Sequence, residues 1–276
     1  MELRPTTVGD LPSLHALFVD AIAGVYGPHG YAPPGPPVEI FASQQRHILE
    51  TDGTSVIATE GDELLGFASS WTRGRDWFLA SLFVAPAAQS RGLGRTLLAA
   101  VWGDGVHRRT ITDAIQPVST ALYGRSGLLP ATPVLSLSGE PRPGRAPLAV
   151  GTGDLAPIDS VAYGFDRAPD HAYWARLARR TVWLRAGAPV AYSYAFPGGA
   201  IGPVAGIDAQ AAADALDGEL SSAGEPVTVR IPGSSRLLLE VALRRGLRLS
   251  PTPGLLLLSD DLEAPTALAI AGYTLF

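Results

Sequence analysis

Two glycines lie where one apolar stretch gives way to another, in the segment Leu82–Leu98, LFVAPAAQSRGLGRTLL. The pattern predicts a strand, a short turn that contains Gly92 and Gly94, and then an amphipathic helix. Glycine has no Cβ, so the backbone can turn sharply there and approach a ligand closely. The first amides of a helix have no partner within it, and the helix dipole places partial positive charge there. The turn is therefore predicted to bind an anion such as a diphosphate.

Three side chains beside these glycines suit the same ligand. Arg91 and Arg95 add positive charge, and Thr96 carries a hydroxyl that can donate a hydrogen bond. The turn lacks the spacing of a dinucleotide-binding motif and has no acidic residue suitably placed on a following strand. Taken alone, such a turn is most simply interpreted as an ordinary connection between a strand and a helix.

The whole segment resembles the coenzyme A signature of the GNAT acetyltransferase superfamily. That signature is Gln-x-x-Gly-x-Gly after a strand that ends in apolar-Val-x-Pro, and FVAP at 83–86 precedes the matching residues here. The resemblance implies that amides at about 91–96 hold the diphosphate of acetyl-CoA. It also implies that backbone at 83–84 pairs with the pantetheine arm, where an amide polarises the thioester carbonyl. The residues assigned to acyl-CoA in this way are Phe83, Val84, Gln89, Arg91, Gly92, Leu93, Gly94, Arg95 and Thr96.

A second match lies downstream, where QPVSTALYGRSGL at 116–128 resembles the final motif of the same superfamily. Tyr123 falls at the family's tyrosine, which stands near the coenzyme A sulfur and protonates the leaving thiolate as a general acid. Gly127-Leu128 matches a Gly-apolar step, while Gln116 stands where Asn is usual. Without the resemblance, Tyr123 is interpreted as a helix residue packed against the sheet, with its hydroxyl reaching water.

The order of predicted elements in the first half is β-α-α-β-β-β-α-β-α-β, which is typical of a mixed α/β fold. One helix begins near Asp10, the proposed N-cap, and the others cover 38–50, 92–102 and 117–125. The strands cover 2–5, 55–59, 64–71, 77–84, 110–114 and 134–137. The resemblance implies that they form one twisted mixed sheet, splayed between two central strands to admit the cofactor.

Three segments of the first half recur in the second half in the same order. TTVGDLPSL at 6–14 is echoed at 150–158, SVIATEGDELLGFASS at 55–70 is echoed at 181–195, and GLLPATPVLSLSG at 127–139 is echoed at 246–260. We therefore predict two tandem GNAT-like domains, residues 1–139 and 150–276. A linker at 140–149, rich in Pro, Gly and Arg, is predicted to join them.

The second copy lacks both motifs. Only Gly206 remains near the turn, and the helix LLLEVALRRG has no tyrosine. We expect this half not to bind coenzyme A in the usual way, to pack against the first domain and to wall part of the acceptor site. Its segment 163–174 mixes aromatic residues with Arg167, Asp170 and His171. That mixture indicates surface ion pairing or interface packing, or else a part in acceptor binding.

The composition excludes several classes of protein. The chain of 276 residues has no cysteine and no lysine, which rules out disulfides, thiolate metal sites, Schiff-base lysines and Walker-type loops. A net charge of -5 and the lack of an arginine run argue against nucleic-acid binding. His15, His47 and His107 form no metal-binding spacing with a carboxylate, so no metal is expected. No apolar run approaches the roughly 20 residues that span a bilayer, so we expect no membrane association and a cytoplasmic monomer or homodimer.

Acyl transfer to an amine requires a base or a water chain that removes a proton. The strand before the turn has no carboxylate inside it, which leaves Asp76 at its edge and His29, Tyr31 and Glu39 further upstream. We favour an N-acetyltransferase that moves an acetyl group from acetyl-CoA to an amine acceptor, a small molecule or peptide, by direct attack in a ternary complex. One alternative is a non-catalytic acyl-CoA-binding module, which the absent carboxylate favours. The other places catalysis in the second half, although the missing glycine turn speaks against it.

Overall fold

The computed structural model describes residues 1–33, 35–51 and 53–276, which form two compact units. Unit 1 comprises Met1–Thr110 and Ile115–Leu129, and unit 2 comprises Ile111–Ala114 and Pro130–Phe276. The sequence repeat predicts domains at 1–139 and 150–276, whereas the packing of the chain divides it within β5 and near residue 130. The predicted boundaries therefore stay a prediction.

Unit 1 is built on a mixed sheet with the strand order β1-β2-β3-β4-β5. Its strands are β1 (Glu2–Pro5), β2 (Gly53–Glu60), β3 (Glu63–Arg73), β4 (Asp76–Val84) and β5 (His107–Asp113), of which the first four residues of β5 lie in this unit. Its helices are α1 (Leu11–Tyr26), α2 (Val38–Glu50), α3 (Leu93–Ala100) and α4 (Pro117–Arg125). Neighbouring strands are antiparallel except for β4 and β5, which are parallel.

The helices of unit 1 cover both faces of its sheet. Successive strand residues point to opposite faces. Phe67 of β3 packs on Phe41 of α2, with ring centroids 6.1 Å apart. A Cβ added to Gly66, the preceding residue, would lie 3.0 Å from Leu97 of α3. The face with α2 therefore lies opposite the face with α3, and the core beneath α1 and α2 includes Leu11, Leu14 and Ile57.

Asp10 is the N-cap residue of α1, as predicted, but its side chain makes no capping hydrogen bond to the helix. The Asp10 carboxylate accepts hydrogen bonds from the Thr7 amide at 2.8 Å and from Arg4 Nη2 at 2.7 Å. The bond from Arg4, helped by those from Thr7, holds the pKa of Asp10 well below its usual range. The carboxylate thus ties β1 to the short 3-10 turn before α1, because a neighbouring guanidinium competes successfully for it.

One helical stretch, Val8–His29, is long and apolar enough to cross a membrane by length and composition alone. This finding differs from the expectation that no apolar run of the sequence is long enough to span a bilayer. A single helix of this kind is weak evidence of a membrane span, because a helix that packs in a protein core passes the same test. In this helix Leu11, Leu14 and Leu17 are buried in the core of unit 1.

Unit 2 contains a second mixed sheet, with the strand order β13-β6-β11-β10-β9-β8-β7. Its strands are β6 (Leu129–Gly139), β7 (Ala149–Gly151), β8 (Arg179–Arg185), β9 (Ala188–Ala195), β10 (Ala200–Gly206), β11 (Val227–Pro232), β12 (Arg248–Leu249), β13 (Gly254–Leu258) and β14 (Leu268–Ala269). Its helices are α5 (Ala156–Ala162), α6 (Ala168–Trp174), α7 (Ala209–Ser222) and α8 (Arg236–Arg244). β6 comes before the predicted linker, yet it pairs with β11 inside this unit over residues 134–139.

A buried polar cluster occupies the core of unit 2 at segment 163–174. Arg167 has no exposed surface. Its guanidinium pairs with Asp170 Oδ2 at 2.9 Å and donates to the Phe276 carbonyl at 2.7 Å. Asp159, also fully buried, lies 2.9 Å from His171 Nε2. The interpretation of this segment as surface ion pairing is therefore wrong, because its charges are neutralised inside the core.

Replacing Arg167 by methionine should strongly destabilise the fold. The variant leaves the Asp170 carboxylate buried without its cation, and breaking a buried pair from one side typically costs about 3–5 kcal/mol. The free energy of unfolding, measured by urea denaturation, should fall accordingly. Arg176→Met, at an exposed arginine nearby, is the control, and an equal loss in the two variants would contradict a role for the buried pair.

Candidate active site

A β-bulge in β4 sets the geometry of the candidate site. The register with β3 pairs Ser70 with Leu79 but Ser69 with Ser81, so Ala80 has no residue opposite it. An extra residue bends a strand and redirects the backbone groups that follow. The bulge comes directly before the segment that was predicted to meet the thioester.

Beyond the bulge, β4 separates from β5. The two strands pair only over residues 76–79 and 107–110. Within the described ranges, β4 has no other strand neighbour on that side. The last residues of β4 therefore present one uncovered backbone edge, which we call the open edge. It matches the splay that the resemblance implied.

The alternation of hydrogen bonds shows which residues face the open edge. The Ala85 amide donates to the Leu65 carbonyl at 2.9 Å, so Phe83, two residues earlier, also directs its backbone groups toward β3. Leu82 and Val84 then direct their N–H and C=O groups to the open edge. The sequence pattern had assigned Phe83 and Val84 to the pantetheine arm. Leu82 rather than Phe83 therefore shares the open edge with Val84, a distinction that only the strand register reveals.

Two residues with left-handed backbone shape the turn after β4. Ser90 has φ 66° and Gly92 has φ 79°, a conformation that favours glycine. The Gln89 side chain donates from Nε2 to the Val84 carbonyl at 3.3 Å. Gln89 thereby ties the turn to the open edge of β4.

The amides from Arg91 to Gly94 have no hydrogen-bond partner in the part of the chain that the structure describes. Those of Arg95 and Thr96 donate to the Gly92 carbonyl at 3.1 and 3.2 Å. The Thr96 hydroxyl points to the same carbonyl at 3.4 Å. The candidate anion site is therefore narrower than predicted, and it consists of four amides flanked by two exposed arginines.

Gly94 lies between the open edge and α4. A Cβ added there would be 3.4 Å from Leu122 Cδ2 and 3.8 Å from Leu82 Cδ2. The neighbouring Leu93 is buried and anchors α3 in the core. A methyl group would fit at position 94, whereas a longer side chain would extend into the space beside the four amides.

The ends of α4 are fixed by Gln116 and Gly127. Gln116 Oε1 accepts a hydrogen bond from the Val118 amide at 3.3 Å, so glutamine caps this helix where the family usually has asparagine. At the other end Gly127 has φ 85°, and the Leu128 amide donates to the Tyr123 carbonyl at 3.0 Å. This is a Schellman motif, which explains the Gly-apolar step.

Tyr123 is buried, with 4% of its surface exposed. Burial raises the pKa of Tyr123, while a hydrogen bond with Ser119 acts in the opposite direction. The phenol stays protonated near neutral pH, as a proton donor must.

The bases suggested by the sequence are paired elsewhere or exposed. Asp76 lies six residues before Leu82 on β4, about 20 Å away at strand spacing. Its carboxylate pairs with Arg109 and lies 3.5 Å from His107 Nδ1. The exposed candidates are His29, Tyr31 and Glu39. Among the described residues, no group of three or more His, Asp or Glu side chains is arranged to hold a metal.

The corresponding groove of unit 2 is filled by the chain itself. β10 pairs with β11 only over residues 200–201. Further along, Val204 and Ala205 of β10 pair with β14 instead. The Gly206 amide donates to the carbonyl of residue 267 at 3.1 Å, and the Ile270 amide donates to the Arg230 carbonyl at 2.9 Å. Residues 267–270 therefore lie as a strand between β10 and β11, where unit 1 has its open edge.

The helix terminus that follows β10 is closed as well. Asp208 caps α7, and its carboxylate accepts a hydrogen bond from the Ala211 amide at 2.6 Å. The N-cap of α3 is Gly92, which has no side chain for this purpose. A carboxylate at a helix N-terminus occupies the position of a phosphate and repels it. The lost glycine turn of the second half thus coincides with two structural obstacles to a nucleotide cofactor.

Residues 22–127 match the model of the acetyltransferase (GNAT) family. This segment of the chain is therefore a GNAT acetyltransferase domain, as its motifs predicted. None of the curated proteins matches the chain in sequence.

Three solved structures share the fold over nearly the whole chain. A Pyrococcus horikoshii protein classed as an acetyltransferase is 20% identical with a TM-score of 0.77, covering 100% of this chain and 95% of its own. A GCN5-related N-acetyltransferase from Sphaerobacter thermophilus is 15% identical with a TM-score of 0.63, covering 96% and 98%. A tandem GNAT protein from the clavulanic acid biosynthesis pathway is 14% identical with a TM-score of 0.58, covering 95% and 99%. These likenesses confirm the predicted tandem GNAT fold.

Proposed function

We propose that this chain is an N-acetyltransferase that binds acetyl-CoA in unit 1 and transfers the acetyl group to an amine of a small molecule or peptide. One observation carries the proposal: four amides at the start of α3, which have no partner among the described residues, adjoin a strand edge that no other strand covers. The diphosphate binds the amides of residues 91–94 beside Arg91 and Arg95. The pantetheine arm adds to the open edge at Leu82 and Val84. We also propose a cytoplasmic monomer or homodimer, in keeping with a chain that has no cysteine.

In the proposed reaction the amine attacks the thioester carbon directly within a ternary complex. The Leu82 amide donates to the thioester oxygen and stabilises the negative charge that develops on it. A C–N bond forms and the nitrogen loses one proton to a base or to water, while the C–S bond breaks and Tyr123 gives its proton to the departing thiolate. Burial keeps the Tyr123 phenol protonated until the thiolate forms, because it raises the pKa of that hydroxyl.

The release of free thiol from acetyl-CoA tests this proposal. The acceptors are an alkyl diamine, a hexosamine, an amino acid and tripeptides with free N-termini. Turnover well above the rate without amine supports an enzyme. Binding without turnover favours a second candidate function, a non-catalytic acyl-CoA-binding module. The observation that favours this second candidate is that β4 carries no carboxylate other than the paired Asp76.

Each chain should bind one acetyl-CoA rather than two. Residues 267–270 fill the groove of unit 2 and Asp208 caps α7, which also speaks against catalysis in that half. Isothermal titration calorimetry should give a stoichiometry near one. Asp208→Ala should leave it at one, because the filling strand remains. A value near two for the unmodified chain would show that unit 2 takes the cofactor after all.

A further inference from the structure

Three buried polar side chains lie behind the bulge of β4, on the face covered by α2. Ser69 of β3 and Ser81 of β4 stand opposite each other in the register. Gln45 of α2 donates from Nε2 to Ser81 Oγ at 3.0 Å. Ser69, Ser81 and Gln45 are 0%, 6% and 2% exposed. We call these three residues the serine site.

The Ser69 hydroxyl is the unsatisfied member of the serine site. Its Oγ is buried and has no hydrogen-bond partner among the described residues. Leaving a buried hydroxyl unpaired is costly, and nearly all such groups in proteins bond to other residues or to ordered water. Ser81 Oγ accepts from Gln45 and still has a lone pair for a further partner. Ser69 and Ser81 stand opposite each other in the register, so a water molecule held between their side chains could bond to both hydroxyls.

The serine site adjoins the position proposed for the thioester. Ser81 and Leu82 share a peptide bond, so Ser81 Oγ lies within about 5 Å of the Leu82 amide nitrogen by covalent geometry alone. That amide is the proposed donor to the thioester oxygen. We place the attacking amine within reach of a water molecule held at the serine site, because a base can act through one water.

Unit 2 has no counterpart of the serine site. β10 also contains a bulge, between Ile201 and Val204. Beside it, Ser193 pairs with Val204 as Ala68 pairs with Leu82 in unit 1. The residues that correspond to Ser69 and Ser81 are therefore Tyr194 and Pro203. The Tyr194 hydroxyl is bonded to a ring nitrogen of His171 at 3.0 Å. In unit 1 the unpartnered Ser69 hydroxyl lies beside the open edge. At the corresponding position in unit 2, where the groove is filled, the Tyr194 hydroxyl has a partner.

We propose that the serine site holds a water molecule that takes the proton from the attacking amine, in place of the strand carboxylate that this chain lacks. The inference rests on the proposed acetyltransferase function. The water donates its hydrogens to Ser69 Oγ and Ser81 Oγ and turns a lone pair to the amine. As the C–N bond forms, the nitrogen gives one proton to this water, which releases a proton to solvent. The sulfur gains one proton from Tyr123, which recovers it from solvent, so the protons balance.

Ser69→Ala and Ser81→Ala test the serine site through a split between kcat and KM. Each variant should lower kcat about tenfold, a partial loss of acid–base catalysis, with the KM for acetyl-CoA unchanged. The probe is thiol release with the most active amine of the panel. Ser70→Ala is the matched control, because Ser70 is equally buried but its Oγ donates to the Val101 carbonyl at 2.8 Å. It should lower the denaturation midpoint and keep kcat, whereas Ser69→Ala should keep the midpoint and lower kcat.

The outcomes separate this inference from the proposed function. If the unmodified chain turns over but both variants keep its kcat, the serine site is refuted and the acetyltransferase stands. If the unmodified chain binds acetyl-CoA without any turnover, both the serine site and the proposed acetyltransferase function are refuted. A crystal structure with bound coenzyme A that resolves ordered waters but shows none bonded to Ser69 Oγ would also refute the serine site.

Discussion

The Gly94→Glu variant should bind acetyl-CoA at least about 100-fold more weakly than the unmodified chain. Gly94 supplies one of four free amides, and the space beside its Cα accepts little more than a methyl group before Leu122 and Leu82 are met. Glutamate adds bulk there and puts a negative charge at the helix N-terminus, where we place the diphosphate. Losing two charged hydrogen bonds at roughly 1.5–3 kcal/mol each corresponds to a factor of about 10² to 10⁴.

Calorimetric titration with acetyl-CoA measures this loss against two controls. Gly24→Glu makes the same charge change in α1, where an added Cβ meets nothing within 4 Å, and it should bind as the unmodified chain does. Gly94→Ala adds a Cβ in ordinary contact with Leu122 at 3.4 Å, so it should lose little affinity. Equal affinities for Gly94→Glu and Gly24→Glu would refute the diphosphate site.

Tyr123→Phe should lower kcat by about 100-fold or more, since general acid catalysis typically contributes 10² to 10⁴. The ring that packs against the core is kept, so the KM for acetyl-CoA should change little. Tyr26→Phe is the control, because Tyr26 is also buried in unit 1, at 2% exposed, and lies outside the proposed site. It should keep kcat. An unchanged kcat in Tyr123→Phe would refute the role of Tyr123 as the general acid.

The pH dependence of kcat follows from the raised pKa of Tyr123. Because burial raises that pKa above its usual value of about 10, the proton-donating form persists throughout the neutral and mildly alkaline range. Deprotonation of Tyr123 should therefore cause no fall in kcat below about pH 10. A fall centred near pH 9 that disappears in Tyr123→Phe would contradict a buried, protonated acid.

The elements of unit 1 follow closely from local sequence signals. β1, α2 and α4 have the predicted bounds, since glycine and proline mark their limits and apolar residues recur at the right period. The glycine turn could be located for the same reason. Left-handed backbone, which Gly92 adopts, favours glycine, so a glycine between a strand and a helix indicates a turn. Tyr123 was found only through its order relative to that turn.

The register between strands could not be predicted from the sequence. The bulge at Ala80 depends on how β4 pairs with β3, and no residue type marks it. That one residue decides whether Leu82 or Phe83 faces the open edge. The position of Asp10 at the N-cap of α1 could be predicted, but its side-chain partner could not, because the carboxylate pairs with Arg4 of β1 instead of the helix amides.

Contacts between distant segments were equally inaccessible. Residues 267–270 fill the groove of unit 2 by pairing with β10, more than 60 residues earlier in the chain. Arg167 is buried because Asp170 and the carbonyl of Phe276, over 100 residues away, surround it. Local patterns can report that a motif is missing, as at Gly206, but they do not show what takes its place.

Amide-resolved NMR during titration with acetyl-CoA would show directly whether the diphosphate and pantetheine bind where we propose. The largest chemical-shift changes should fall on the amides of Leu82, Val84 and residues 91–94, while those of residues 204–206 should stay unchanged. Saturating acetyl-CoA that leaves the amides of residues 91–94 unmoved, or that moves those of 204–206 instead, would contradict the proposed binding site.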